Sequence, residues 1–434
     1  MQKNKMNKEK QDKYLNRFYK IYPILKGFTD DLLFFVAIDT LFLTLVKGLS
    51  AQEIVLLTTI SSIISILFRV QLIKIIRKLG NTKSVRLGMG LLLLSSILIT
   101  LGPSFIWIIV GKTLYEIAFV FKDMENVMLQ NNLAVKGKTA DYVKISNKST
   151  IAYSFITMII AFISGYIFNI NPYLPMYLCV LICIIFFVMY FYMKDISTKD
   201  ITVEKSEKLK KIKIPKIIWL VLISYGVFYA IIVNGQQNVK LLIQYKLTDV
   251  YGLIKVSTYL GIIVSVSRIA RLLGNLLFGK VYNKIKDKAS IILSSLLFLA
   301  FVFTILGHFL IKFATLGVVL MSIGFCIILA VRDPYKLYIN NIALKLSKPE
   351  ERQVVFAYVQ YARKIGVTIF SLIISAALID LEMVYIIIGI GLLAFIEIIV
   401  TIKLYRMLKS NINEKQELEY VLTCSNKYDK EYTK

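Results

Sequence analysis

The sequence predicts an all-α membrane protein of about twelve transmembrane helices in two similar six-helix halves. Three observations carry this: uncharged stretches long enough to span a bilayer, cations gathered on one side, and an internal repeat. Of 434 residues, 57% are hydrophobic and 18% charged, and the mean hydropathy is +0.67. The charge is clustered: segments 87–111, 149–193, 217–239, 289–307 and 313–331 carry none. A spanning helix needs about 20 apolar residues, so each segment holds one span or two.

In chain order the spans are expected at Lys26–Val46, Ile54–Val70, Val85–Gly102, Ser104–Phe121, Ser149–Phe168 and Met176–Met193. The second half follows at Ile217–Gln237, Leu253–Phe278, Ala289–Gly307, Phe313–Val331, Gln353–Ile379 and Val384–Leu404. Gly102-Pro103 and Asn169 to Pro175 break helices where water can satisfy the backbone. Residues 1–25 read as an N-terminal tail and 405–434 as a C-terminal tail. Residues 194–216 read as a polar linker between the bundles 26–193 and 217–404.

Most of the 53 Lys and Arg fall in the two tails and in the links after even-numbered helices, while the opposite side holds Lys47 and Lys312. The positive-inside rule then places both termini in the cytoplasm. The net charge of +26 is an orientation signal and a contact with anionic lipid headgroups on that side. No basic domain stands apart from the membrane, so nucleic acid is excluded as a partner. Residues 1–22 lack the apolar core of a cleaved signal peptide. Four cysteines and one histidine, His308, supply no metal framework, no phosphate-binding glycine loop is present, and no cofactor is expected. A membrane-embedded enzyme lacks support, because no catalytic carboxylate pair lies in a loop.

The repeat follows helices 4 and 10. Lys122-Asp123, Asn131-Asn132-Leu133-Ala134-Val135-Lys136 and Tyr142-Val143 match Arg332-Asp333, Asn340-Asn341-Ile342-Ala343-Leu344-Lys345 and Tyr358-Val359. Each recurs about 210 residues later, a period that marks a duplicated bundle. Arg77-Lys78-Leu79-Gly80 after helix 2 and Asn283-Lys284-Ile285-Lys286 after helix 8 support the register. Six helices per repeat make the halves parallel, with a solute site near the midplane between them.

These features resemble the major facilitator superfamily over nearly the whole chain. That family's signature is a short loop between helices 2 and 3, echoed between helices 8 and 9: glycine, three residues, Asp-Arg, one residue, glycine, then basic residues. Gly279 to Lys288 is the better copy, with Asn283 for the aspartate and Lys286 for the second glycine. The first copy keeps Gly80 and the basic residues but has Arg77 at the aspartate position. The closest likeness is to a branch of Gram-positive bacterial permeases, which implies a bacterial plasma membrane and brings no substrate. The resemblance further implies that helices 1, 4, 7 and 10 line a central cavity. Helix 5 lacks the Gly/Pro-rich signature of the family's proton-coupled drug antiporters.

Charges within the bilayer are functional candidates by default. Substrate or coupling candidates are Asp39, Lys112, Glu116, Gln236, Gln237, Asn238, Lys240 and Arg268. Lys112 and Glu116 stand one turn apart, and a structural Lys112–Glu116 or Asp39–Lys112 pair is the competing reading. Asn234 to Asn238 suggests an interrupted helix 7, or a plain exit into the outer loop. Arg271 is expected at the headgroups; Arg363 and Lys364 pose the same choice. Lys112, Lys240 and Arg268 lean towards an anionic solute. Gating candidates are Arg77, Lys78, Gly80, Asp123, Gly279, Asn283, Lys284 and Asp333, with Arg77 expected to pair with Asp123 and the Asn283-Lys284 loop with Asp333. The function expected is secondary transport of a small solute by alternating access, coupled to protons through Asp39 or Glu116. An efflux pump or a non-transporting receptor of the same fold are the alternatives.

Overall fold

In a computed structural model, residues 8–138, 141–196, 216–285, 288–346 and 352–431 are described. The first half comprises α1 (Lys8–Thr29), α2 (Leu33–Leu41), a π turn (Phe42–Val46), α3 (Ala51–Leu67), α4 (Arg69–Leu79), α5 (Asn81–Leu101), α6 (Phe105–Lys122), α7 (Met124–Val135), α8 (Tyr142–Ile170) and α9 (Leu174–Tyr190). The second comprises α10 (Lys216–Tyr251), α11 (Leu253–Ile285), α12 (Ala289–Phe309), α13 (Ala314–Leu346), α14 (Arg352–Ala377) and α15 (Met383–Glu431). The twelve expected spans correspond to α2 with its π turn, α3, α5, α6, α8 and α9, then α10 to α15. The polar α1 and the short α4 and α7 stand outside that count.

Seven described helices are long and apolar enough to cross a membrane by length and composition: α5, α8, α10, α11, α12, α13 and α15. Notably, α2, α6 and α14 are not among them. Asp39 stands on α2, Lys112 and Glu116 on α6, and Arg363 and Lys364 on α14. The nine-residue α2 falls short on length, and α6 holds Lys112, Glu116 and Lys122 within its 18 residues.

Each half is held by close helix pairs, α5 on α6 and α12 on α13 among them. Glycine sets two contacts. A Cβ at Gly226 of α10 would lie 2.8 Å from the carbonyl of Ala362 on α14; one at Gly165 of α8 would lie 2.5 Å from the carbonyl of Ser257 on α11. The first contact is inside a half; the second lies on the seam between halves, as does α3 against α14. Seam hydrogen bonds run from Asn169 Nδ2 to Thr258 Oγ1 (2.8 Å) and from Ser265 Oγ to the carbonyl of Met158 (3.0 Å).

The expected boundaries need correction, mostly because helices run on past their expected ends. The segment expected as an N-terminal tail is largely α1, whose Leu15, Phe18, Tyr22 and Leu25 are buried. Asp30 and Asp31 break the chain between α1 and α2. The segment expected as a C-terminal tail continues α15 to Glu431. Of the linker, Lys194 to Ile196 are fixed by Asn131 and Asn132, whose side chains bond Asp195 and the Lys194 carbonyl; residues 197–215 lie outside the described residues. Helix α10 is continuous over 36 residues, about 54 Å at 1.5 Å per residue. Neither an interruption nor an exit therefore occurs at Gly235, which instead admits the ring of Phe301, 2.6 Å from where its Cβ would be.

Glu397, on α15, is 1% exposed. It accepts a hydrogen bond from Ser224 Oγ at 2.6 Å, and no cation pairs with it among the described residues. The sequence leaves snorkelling or a helix contact open for Glu397; the bond to Ser224 on α10 makes it a helix contact. Glu397→Gln keeps an acceptor for Ser224, so thermal stability should change by less than about 1 kcal/mol. Glu397→Leu leaves Ser224 without it and should cost about 1–3 kcal/mol. Thermal unfolding of the detergent-purified protein checks both.

Candidate functional site: a cavity between the halves

A cavity of about 510 Å³ lies between the halves. Its two walls differ in charge. The first half contributes five carboxylates, Asp30, Asp31, Asp39, Glu116 and Asp123, against two cations, Arg69 and Lys112. The second contributes seven cations, Lys240, Arg268, Arg271, Arg332, Lys336, Arg363 and Lys364, against one carboxylate, Asp333. Opposite charge across a water-lined gap attracts the halves, more strongly as the gap narrows and water leaves.

Three ion pairs form. Lys240 bonds Asp39 and also donates to the carbonyls of Val36 and Ala37, both at 3.1 Å. Lys364 reaches Glu116 at 3.4 Å and Ser65 Oγ at 2.9 Å. Arg271 grips Asp333 with two bonds, 2.7 and 3.1 Å, and Asn275 adds a third at 3.1 Å. The first two pairs cross between halves; the third lies within the second half. Neither Asp39–Lys112 nor Lys112–Glu116 pairs. Lys112 instead lies 4.3 Å from the ring centroid of Tyr115. Its partners are aromatic because Lys240 and Lys364 reach the carboxylates first.

Spacing along α10 explains the closed end. Gln237, Lys240 and Gln244 fall at i, i+3 and i+7 on one face. Gln237 donates to the carbonyl of Ile54 (3.3 Å), and Gln244 to Thr44 Oγ1 (2.6 Å). These bonds, with Asn169–Thr258, bar the cavity on the face away from the termini. On the termini face the lining reaches Arg69, Asp123 and Lys336. Gln236 looks inward and accepts from Arg332 at 3.1 Å. Asn238 does not belong to the site: it is fully buried and donates to the carbonyl of Asn234.

The gating expectations fare unevenly. Gly80 has φ +75° between α4 and α5, a left-handed turn that excludes most side chains. Lys78 is exposed on α4. The side chains of Arg77 and Asn283 lie outside the described residues; among the described residues, Arg69, Arg363, Lys26 and Lys364 act on Asp123. Gly279 and Lys284 stand exposed on α11, not in a loop, because the helix continues to Ile285. Asp333 therefore serves Arg271 and not Lys284, which is about 20 Å farther along α11 at 1.5 Å per residue.

Sequence reasoning left Arg271 at the headgroups and counted Arg332 and Lys336 among link residues. All three face the cavity. The signal was there: Arg332, Asp333 and Lys336 share a helix face at i, i+1 and i+4 if helix 10 does not stop at its first charge. Pro334 lies in the same stretch. It sits inside α13, where its missing N–H leaves the carbonyl of Ala330 without its helical donor.

No family model matches the sequence, and no curated protein is similar to it in sequence. Solved structures are similar in fold. A bacterial homologue of the iron transporter ferroportin, in an inward-facing state, aligns with TM-score 0.65 at 13% identity, over 91% of this chain and 98% of that one. The nucleoside transporter NupG aligns with TM-score 0.66 at 12% identity, over 91% and 99%. A bacterial homologue of the human lysosomal transporter Spinster, inward-facing and occupied, aligns with TM-score 0.61 at 11% identity, over 92% and 98%. The chain is a multi-pass membrane protein with the two-bundle fold of the major facilitator transporters.

Proposed function

We propose that the protein is a secondary transporter that moves a small solute by alternating access, with protons as the coupling ion. The observation that supports this best is the pair of lysine–carboxylate bridges that cross the cavity, Lys240–Asp39 and Lys364–Glu116. Each bridge exists only while the carboxylate is ionised. Protonation, or a solute that competes for the lysine, releases the halves from one another. A ligand shifts a conformational equilibrium only by its differential affinity for the two states, and a bridge present in one state supplies that difference. The fold shared with a nucleoside transporter and with a bacterial homologue of an iron transporter agrees with this reading.

The termini face is assigned to the cytoplasm of a bacterial cell, on the distribution of Lys and Arg. Exposed Lys74 and Lys78 on amphipathic α4 suit contact with anionic headgroups there. Reporter fusions after Lys83, Lys138, Lys205, Asp287 and Lys345 should report cytoplasm, and fusions at Asn171 or Lys312 the outside. Two reversed reports among these would break the assignment.

Transport itself is tested by counterflow in proteoliposomes, with labelled organic anions, amino acids and nucleosides. Saturable exchange of one class is expected. Absence of exchange for every class, from protein that still unfolds cooperatively, would favour a receptor. Glu116→Gln should abolish accumulation driven by a proton gradient and spare counterflow. Full gradient-driven accumulation in that variant would remove Glu116 from coupling.

A further inference from the structure

On the second-half wall, four cations meet without a carboxylate of their own. Arg268 is 4% exposed, and its Nε has no hydrogen-bond partner. Arg332 donates to Gln236 Oε1 at 3.1 Å and to the Tyr229 hydroxyl at 3.2 Å. Arg363 lies 5.0 Å from the centroid of the same Tyr229 ring. Lys336 feels Arg363, Tyr229, Asp333 and Arg332 around it. No ion pair engages any of the four among the described residues. The carboxylates around the cluster have other partners or stand off: Asp333 is clamped by Arg271 and Asn275, Asp31 accepts from the Tyr115 hydroxyl across the gap from Arg268, and Asp123 is shared by Arg69 and Arg363.

We infer that this cluster is the binding site for the charged head of a small organic dianion, with a phosphate monoester as the best match. The inference rests on the transport reading and names its substrate class. Cations that repel one another, Arg268 buried and Arg332, Lys336 and Arg363 half-buried, are stabilised by a ligand that brings a counter-charge. Guanidinium forks prefer oxyanions that accept two bonds at once. A single carboxylate has two oxygens to share among three arginines, whereas a phosphoryl group has three. A dianion also neutralises half of the four charges, where a monoanion would leave three. The opposite wall sets the remainder of the ligand. Asp30 and Asp31 face the gap there and oppose negative charge spread over the whole molecule. The charge must therefore sit at one end, with the other end uncharged or cationic.

Calorimetric titration of the full chain in detergent tests this, with glycerol 3-phosphate, inorganic phosphate, acetate and glycerol as probes. Glycerol 3-phosphate should bind at least tenfold more tightly than acetate, glycerol should not bind, and affinity should fall with salt. Arg268→Gln and Arg332→Gln should each weaken binding about tenfold or more, Arg332→Lys less so, and Lys255→Gln, on the exposed start of α11, not at all. If a glutamine variant fails to fold, Arg332→Lys and the salt series carry the test. Equal binding of acetate or glycerol, no binding of either phosphate, or unchanged affinity in the arginine variants would overturn the proposal. Phosphate binding without counterflow would support the site and sink the transport reading. Counterflow of a neutral solute, untouched by phosphate, would do the reverse.

Discussion

Asp39→Asn is expected to shift the resting protein out of the state described here by about thirty-fold, and to reduce transport accordingly. Removing one partner of a buried pair costs ~3–5 kcal/mol, because the other charge is left uncompensated. Lys240 is 5% exposed, but Asp39 is 35% exposed, so water screens part of the loss and about 2 kcal/mol remains. The penalty falls only on the state in which the halves meet at Lys240. Lys240→Gln alone should act in the same direction. The double variant Asp39→Asn, Lys240→Gln removes both charges and should recover at least half of the lost stability of the closed face. A double-mutant cycle on transport rate and on reagent access measures this. Additive losses would show that the two residues act separately.

Gly165→Val should open the same face by a steric route. A Cβ at Gly165 would lie 2.5 Å from the Ser257 carbonyl, so valine must push α8 from α11 by about 1 Å or more to reach ordinary contact. Overpacking of this kind costs ~1–3 kcal/mol. Because the seam joins the halves and does not build either one, membrane insertion and yield should hold. Gly226→Val supplies the contrast. Its collision with Ala362 lies inside the second half, so it should lower yield and thermal stability. The readout is thiol labelling at Thr44→Cys, in a background without the four native cysteines. Labelling by an impermeant reagent should rise at least tenfold in Gly165→Val. An unchanged rate would mean that the seam is not the barrier.

Much of this architecture was legible in the sequence. Uncharged stretches revealed the spans, and the repeat placed Asp123 and Asp333 at equivalent positions. The individual carboxylates Asp39 and Glu116 stood out because charge is costly in a bilayer. Partner choice was not legible. Lys112 is one turn from Glu116, but Lys364 of the other half takes that carboxylate. Pairing between halves depends on a seam that local periodicity does not encode. Helix length was the other blind spot. Ending helix 10 at Val331, just before its first charge, hid Arg332 and Lys336, while the glycine and amides at 234–238 resembled a break in a helix that runs to Tyr251. Helix interiors tolerate such residues when a neighbour fills the space, as Phe301 does at Gly235.

The central claim is that two bundles rock about a charged cavity, closing one face as the other opens. Spin-label distances in lipid nanodiscs test it most directly, with one pair at Ile170 and Lys255 on the closed face and another at Lys78 and Lys284 on the termini face. Two distance populations are expected in each pair, and Asp39→Asn should lengthen the first pair while shortening the second. A single, unchanged distance in both pairs, in the parent chain and in Asp39→Asn alike, would contradict alternating access.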